Sequence, residues 1–304
     1  MKSRTRPKNS LNRKIFIVTL LVLPILQWLV FWLYVNINSF ILAFQTPKTY
    51  EWTFSNFQQF WYELTNVGGT IGLALKNTFL YFVLNMVIMF LNLVVAYFFY
   101  KQIVGYKVFR IIYYFPAIIS GVAMVAVYTA FINTNGPLGS ILSAFGIEMR
   151  PEGLLHNSNT ATPTIMAYCI WTGFTTNVLL FCGAFARIPV ELIESARLDG
   201  CGPTRELFQI TLPLIWPTMS TMLIFSLTGI FAASGPILLF DPENGYETMT
   251  ISYWIFSQVY GSGAVGGSGS YGLVSAAGLC FTLVGVPIIL FVRWLVEKVP
   301  TVEY

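Results

Sequence analysis

Apolar residues gather into six long runs, at about 15–35, 73–100, 111–132, 164–186, 212–231 and 271–292. Each is near or above the roughly 20 residues that carry an α-helix across a bilayer. The thirty charged side chains, 17 basic and 13 acidic, lie outside the runs or at their edges. β-barrel strands would be short and would alternate in polarity, which these runs do not. The pattern predicts an all-α polytopic membrane protein with six transmembrane helices. It divides the chain into a basic tail (1–14), a first span (15–35), an external loop (36–72), a five-span body (73–295) and a short tail (296–304).

The composition agrees. Hydrophobic residues make up 56% of the chain and charged residues 10%, against about 25% charged in soluble proteins. The charges also orient the spans, because Lys and Arg concentrate on the cytosolic side. One set of alternate segments holds fourteen: Lys2, Arg4, Arg6, Lys8, Arg13 and Lys14, then Lys101, Lys107 and Arg110, then Arg187, Arg197 and Arg205, then Arg293 and Lys298. The other holds three, Lys48, Lys76 and Arg150. Both termini and the segment 187–213 are therefore expected in the cytosol. The net charge of +4 reads as a topology signal and not as an affinity for nucleic acid. The basic start followed by an apolar run is like a signal peptide, but it lacks a small-residue cleavage site and the run is too long, so a retained anchor is expected.

The longest polar interval on the cytosolic side has internal order. Pro189 ends one run and can start a short helix. Leu192, Ile193 and Ala196 fall at helical spacing, with Glu191, Glu194 and Arg197 on other faces. Gly200 and Gly202 break that helix. Pro203 opens a second, with Leu207, Phe208 and Ile210 at helical spacing, leading into Leu212-Pro213. From Arg187 to Glu206 there are three basic and four acidic residues. A loop lying on anionic lipid would be basic; this one suits a groove on a protein partner.

These residues resemble the EAA loop of bacterial ABC importer permeases: Glu-Ala-Ala, three residues, Gly, nine residues, Ile, one residue, Leu-Pro. Here Glu194, Ser195 and Ala196 are followed by Gly200, Ile210, Leu212 and Pro213 at that spacing. Ser195 departs from the pattern but is small. Weaker likenesses to the maltose/oligosaccharide subfamily extend over about 73–295: Asn77-Thr78, the run 155–161 leading to Ile170-Trp171, and Arg187-Ile188-Pro189. A Gly, two residues and an Asn, common in that subfamily near 136, is missing, since Gly136 is followed by Gly139. The resemblance implies a type I ABC importer transmembrane domain in a bacterial cytoplasmic membrane. It assigns Glu191, Glu194, Ser195, Ala196, Asp199, Gly200, Ile210, Leu212 and Pro213 to a coupling loop seated on a separate ATPase. It also implies a second permease chain and an external solute-binding protein. ATP and Mg would be used by the ATPase, with no cofactor on this chain.

The spans carry amides and hydroxyls. Tyr81, Asn85 and Asn92 share one helix face. Amides at membrane depth need partners, so that face points either to neighbouring helices or to a solute path. Trp171, Thr172, Thr175, Thr176 and Asn177 form a second polar patch. A path of Tyr81, Asn85, Asn92, Trp171 and Asn177 suits a neutral, hydroxyl-rich solute such as a sugar. The segment 232–236, with its Ser-Gly-Pro, is expected to interrupt helix. The aromatic-rich loop 36–72 suits the membrane interface or a short amphipathic helix. The Gly/Ser-rich 261–270 is expected to be slack. No Walker A, Gly-x-Ser-x-Gly or His-Glu-x-x-His sequence occurs. The single histidine, His156, reads as an exposed loop residue. Cys169, Cys182, Cys201 and Cys280 do not read as a disulfide framework. A self-contained facilitator for small polar solutes is the alternative that shares the uncharged spans.

Overall fold

A computed structural model describes residues 9–46, 49–66, 69–175, 177–232, 235–260 and 269–299. Outside them lie Lys2, Arg4, Arg6, Lys8 and Lys48 of the charge pattern, Thr176, Ala233 and Ser234 of the interrupted segment, most of the Gly/Ser-rich stretch and the end of the C-terminal tail. Among the described residues four helices are long and apolar enough to cross a membrane, and the number is six if each of two bent pairs counts as one span. Those six match the six apolar runs.

The chain falls into two compact units, 1–62 with 258–280, and 63–257 with 281–304. In the first, α1 (Asn9–Trp28) passes through a π-helical stretch (Leu29–Tyr34) into α2 (Val35–Ala43). The helix therefore outruns the expected end of the first span. Its polar residues fold back on their own backbone: Asn36 donates to the Trp32 carbonyl at 2.7 Å and Ser39 to that of Val35 at 2.9 Å, so they do not stop it. The expected loop 36–72 is thus shorter, and it contains α3 (Ser55–Thr65). Asn56, buried at the start of α3, donates to the carbonyls of Ala43 at 2.9 Å and Gln45 at 3.0 Å. Phe44 packs between Phe54 and Phe57, with centroids 5.5 and 4.9 Å away. A Cβ at Gly272 would lie 2.7 Å from the Asn56 amide nitrogen, so this close approach requires glycine.

The second unit is built around α4 (Thr70–Tyr100). The third apolar run is α5 (Tyr106–Ile118) and α6 (Gly121–Ile132), with a bend of 105° between α5 and the segment Gly121–Ala144. Ile119 is extended between them, and Ser120 caps the new helix by accepting from the Ala123 amide at 3.3 Å. α7 (Pro137–Ala144) follows. The fourth run is α8 (Ser158–Gly173) and α9 (Val178–Phe185), and α10 (Val190–Leu198) comes next. α11 (Pro203–Arg205), a π-helical turn (Glu206–Thr211) and α12 (Leu212–Leu214) lead into α13 (Trp216–Thr228) across a 76° bend. Pro213 and Pro217 flank that bend and withhold the backbone donors a straight helix would use. A 3-10 turn (Ile230–Ala232) and α14 (Ile237–Phe240) break the helix where 232–236 was expected to. α15 (Ile251–Tyr260) and α16 (Gly269–Glu297) complete the chain.

The main core of this unit joins Met89, Leu93, Ala96 and Tyr97 of α4 to Val178, Phe181 and Phe185 of α9 and to Met219 and Met222 of α13. Ile193 of α10 and Leu207 of the π turn enter the same core. The polar loop is thus rooted in the bundle, with its other faces left outside.

Candidate functional site

The loop from Val190 to Pro213 takes its shape from one helix end. α10 closes in a Schellman arrangement: the Cys201 amide donates to the Ala196 carbonyl at 2.9 Å, and the Gly200 amide to that of Arg197 at 3.0 Å. Gly200 sits at φ +76, and a Cβ there would meet nothing within 4 Å. Glycine is needed for the backbone angle alone. Gly202 has φ −73 and caps α11, which opens on Pro203.

The loop residues take two roles. Ile193 and Ala196 are buried beneath α10, and Ile210 and Leu212 pack on the core. Glu191, Glu194, Ser195 and Asp199 are exposed, as are Leu192, Phe208 and Leu198, the last at 90% of its surface. Pro213 lies in the short α12, just before the chain turns into α13. The outer face thus carries mixed charge, with Arg197 and Arg205 exposed beside the three acids, and three uncovered apolar side chains, a combination that suits a groove on a protein partner.

The second half of the loop is tied to the end of α4. Glu206 is 1% exposed and pairs with Lys101, whose side chain is 15% exposed. One turn back along α4, the Tyr97 hydroxyl donates to the Pro203 carbonyl at 2.9 Å. The pair's signal in the sequence is two opposite charges on one side of the membrane, Lys101 just past the 73–100 run and Glu206 shortly before the 212–231 run.

The five path residues occupy different surroundings. Asn92 is fully buried; its amide donates to the Gly173 carbonyl at 3.2 Å and its oxygen accepts from the Tyr113 hydroxyl at 2.8 Å. Both ends of this side chain serve contacts between helices. Tyr81 is buried with its ring against Gly235, where a Cβ would lie 3.3 Å from the ring. Asn85, between them on the same face, is exposed. Trp171 belongs to an aromatic group with Tyr128 and Tyr168, centroids 6.1 and 6.3 Å away. Asn177 is half-buried at the break between α8 and α9. Tyr81 and Asn92 are about 16 Å apart along the axis by helical rise, so α4 lines a length of the bundle and not one point.

The opposite end of α4 carries a clamp. Asn77 donates to the carbonyls of Glu247 and Met249, both at 2.9 Å, and Thr78 accepts from the Ile251 amide at 2.9 Å. Asp241 is buried. It accepts from the Gly245 and Tyr246 amides at 2.9 and 3.1 Å and from the Thr248 hydroxyl at 2.8 Å. Tyr253 donates to the Pro242 carbonyl at 2.6 Å. Burial, and then the Asp241 charge, push its hydroxyl pKa above the ordinary value. His156 is exposed beside a cavity of about 320 Å³ lined also by Asn133, Asn135 and Glu152. Among the described residues no three His, Cys, Asp or Glu side chains converge as a metal site.

Residues 106–300 match the family described as "Binding-protein-dependent transport system inner membrane component". The multiple sugar-binding transport system permease protein MsmF of Streptococcus mutans is 24% identical over 289 residues, covering 90% of this chain and 93% of its own length. The maltose/maltodextrin transport system permease protein MalF of Salmonella typhimurium is 27% identical over 199 residues, covering 61% of this chain and 37% of that protein. The diacetylchitobiose uptake system permease protein NgcF of Streptomyces coelicolor is 27% identical over 181 residues, covering 58% of this chain and 51% of that protein. The fold is that of a chain in the crystal structure of a bacterial ABC transporter involved in the import of the acidic polysaccharide alginate. The TM-score is 0.79 at 24% identity, covering 96% of this chain and 98% of the other. A bacterial alginate ABC transporter in complex with an alginate pentasaccharide-bound periplasmic protein gives 0.77 at 24% identity, covering 94% and 96%. With the family model spanning nearly two thirds of the sequence, and the fold of an ABC importer's membrane domain around it, the chain belongs to the binding-protein-dependent transport system inner membrane components.

Proposed function

We propose that this chain is the membrane permease subunit of an ATP-driven importer that moves a neutral sugar or oligosaccharide. An external solute-binding protein delivers the solute. A separate ATPase, using ATP and Mg, seats the loop around Glu194, and a second, similar permease chain completes the pathway. Both termini and the loop lie in the cytosol. This chain binds no cofactor and takes no part in the chemistry of ATP.

The observation that carries the reading is the loop's division of labour. Ile193 and Leu207 root it in the bundle core, while Glu191, Glu194, Asp199 and Leu198 face outward. Force applied to the outer face reaches the bundle without crossing a flexible linker. The Asn85 and Trp171 side chains, exposed on the membrane helices, offer an amide and an aromatic face, which suit hydroxyls and a sugar ring. Names of relatives such as MsmF, NgcF and MalF support a sugar.

The test is uptake into vesicles containing the purified chain with its candidate ATPase, second permease and binding protein. Uptake that needs ATP and all four components is expected. Downhill flux at full rate through the isolated chain would replace the reading with that of a facilitator.

A further inference from the structure

A buried carboxylate is paired with a partly buried ammonium where the loop meets α4, and the exposed docking face does not account for them. Glu206 is almost completely covered and Lys101 is partly covered, at 15% exposed. Removing charge from water is costly, and replacing such a pair by apolar side chains is often neutral or stabilising. Stability alone is thus a weak reason for its presence. The pair is directional: Lys101 caps the C-terminal end of α4 and Glu206 begins the π turn. The Tyr97 hydroxyl, one turn back on α4, holds the Pro203 carbonyl three residues before Glu206. The Lys101 ammonium also lies 5.6 Å from the Tyr97 ring centroid. Two fixed ties at matching spacing make the start of α11 and the end of α4 one mechanical piece. Beyond Glu206 the backbone runs as a π turn to Thr211 and then bends by 76° into α13. π turns are rare and recur at functional sites.

We infer that Lys101 and Glu206 are positioning residues that transmit displacement of the loop to α4, so that α4 follows the loop while α13 re-angles beyond the π turn. This rests on the permease reading. Apolar packing alone would let the two segments slide, whereas a buried ion pair fixes their register. Through Asn77 and Thr78, α4 also carries the 247–251 segment at its far end. The tie therefore joins the loop to both ends of the unit.

The experiment uses the full transporter complex in vesicles and measures solute moved per ATP hydrolysed, together with ATPase co-purification and the amount of chain in the membrane. The neutral double variant Lys101→Met/Glu206→Gln leaves no uncompensated charge. Coupling between sites is commonly worth about 5- to 150-fold, and a fall of about tenfold in solute per ATP is expected, with assembly and basal hydrolysis kept. The swap Lys101→Glu/Glu206→Lys should recover most of the ratio, a rescue that simple packing would not give. A wild-type ratio in the neutral variant would overturn the inference. So would loss of ATPase co-purification in that variant, because the pair would then serve assembly. If the unmodified complex shows no ATP-driven uptake, the permease reading fails and the tie with it.

Discussion

Replacing Gly200 by alanine separates backbone angle from space at the bend of the loop. The residue sits at φ +76 with open space where a Cβ would go, so the change adds no clash. An L-residue in this region costs roughly 1–2 kcal/mol. That is a factor of about 5 to 30 in the population of the bent form. The Schellman bonds from Cys201 to Ala196 and from Gly200 to Arg197 hold only in that form, so the cost falls on the geometry that presents Glu194 and Asp199. Gly202 is the internal control: its φ is −73 and it too has open space, so Gly202→Ala should change little. Asparagine tolerates the left-handed region better than alanine, which sets the order Gly, Asn, Ala at 200. The assay is titration of permease-containing vesicles with the ATPase, reading half-saturation of association and of ATP-dependent uptake. A rightward shift of about 5- to 30-fold for Gly200→Ala follows from the same strain, with none for Gly202→Ala. Equal curves for the two alanine variants would refute the argument from backbone angle.

Three further outcomes follow from the same geometry. Glu194 is exposed on the outer face of α10; Glu194→Lys should leave the chain in the membrane but cut ATP-dependent uptake by at least about tenfold, as a charge reversed in an interface does, and unchanged uptake would remove Glu194 from the docking face. Asn92 makes two bonds between helices, and such bonds in membranes average about 0.6 and reach about 1.7 kcal/mol each; Asn92→Leu should therefore cost about 1–3 kcal/mol in thermal unfolding in detergent, while the exposed Asn85→Leu should alter uptake rate or selectivity and leave unfolding nearly unchanged. Asp241→Ala removes three bonds to a buried carboxylate and should destabilise the 241–251 turn by on the order of 3 kcal/mol, seen as faster proteolysis there at unchanged chain abundance.

The sequence made the spans legible because lipid leaves so few alternatives to long apolar helices. The bend of the loop was legible for a related reason: glycine and proline constrain the backbone locally, and Gly200, Pro203 and Pro213 act where they stand. What escaped was non-local. The apolar run ends at 35, before the polar Asn36, but that amide is satisfied one turn back on the same helix, which continues. The bends within 106–144 and 203–228 lie inside continuous apolar runs, so hydropathy could not register them. Tyr81, Asn85 and Asn92 do share a helical face, but what covers that face is decided by Gly173, Tyr113 and Gly235, remote in the chain. Lys101 and Glu206 stand 105 residues apart, and single-sequence periodicity carries no information about such a pair.

The central claim is that the loop at Glu194 faces the cytosol and is covered by the ATPase. In a chain whose four cysteines are replaced by serine, Ser195→Cys would be treated with a membrane-impermeant maleimide. Labelling of inverted vesicles but not intact cells, and protection when the ATPase is added, is the predicted result. Labelling from outside intact cells, or full labelling in the presence of bound ATPase, would contradict it.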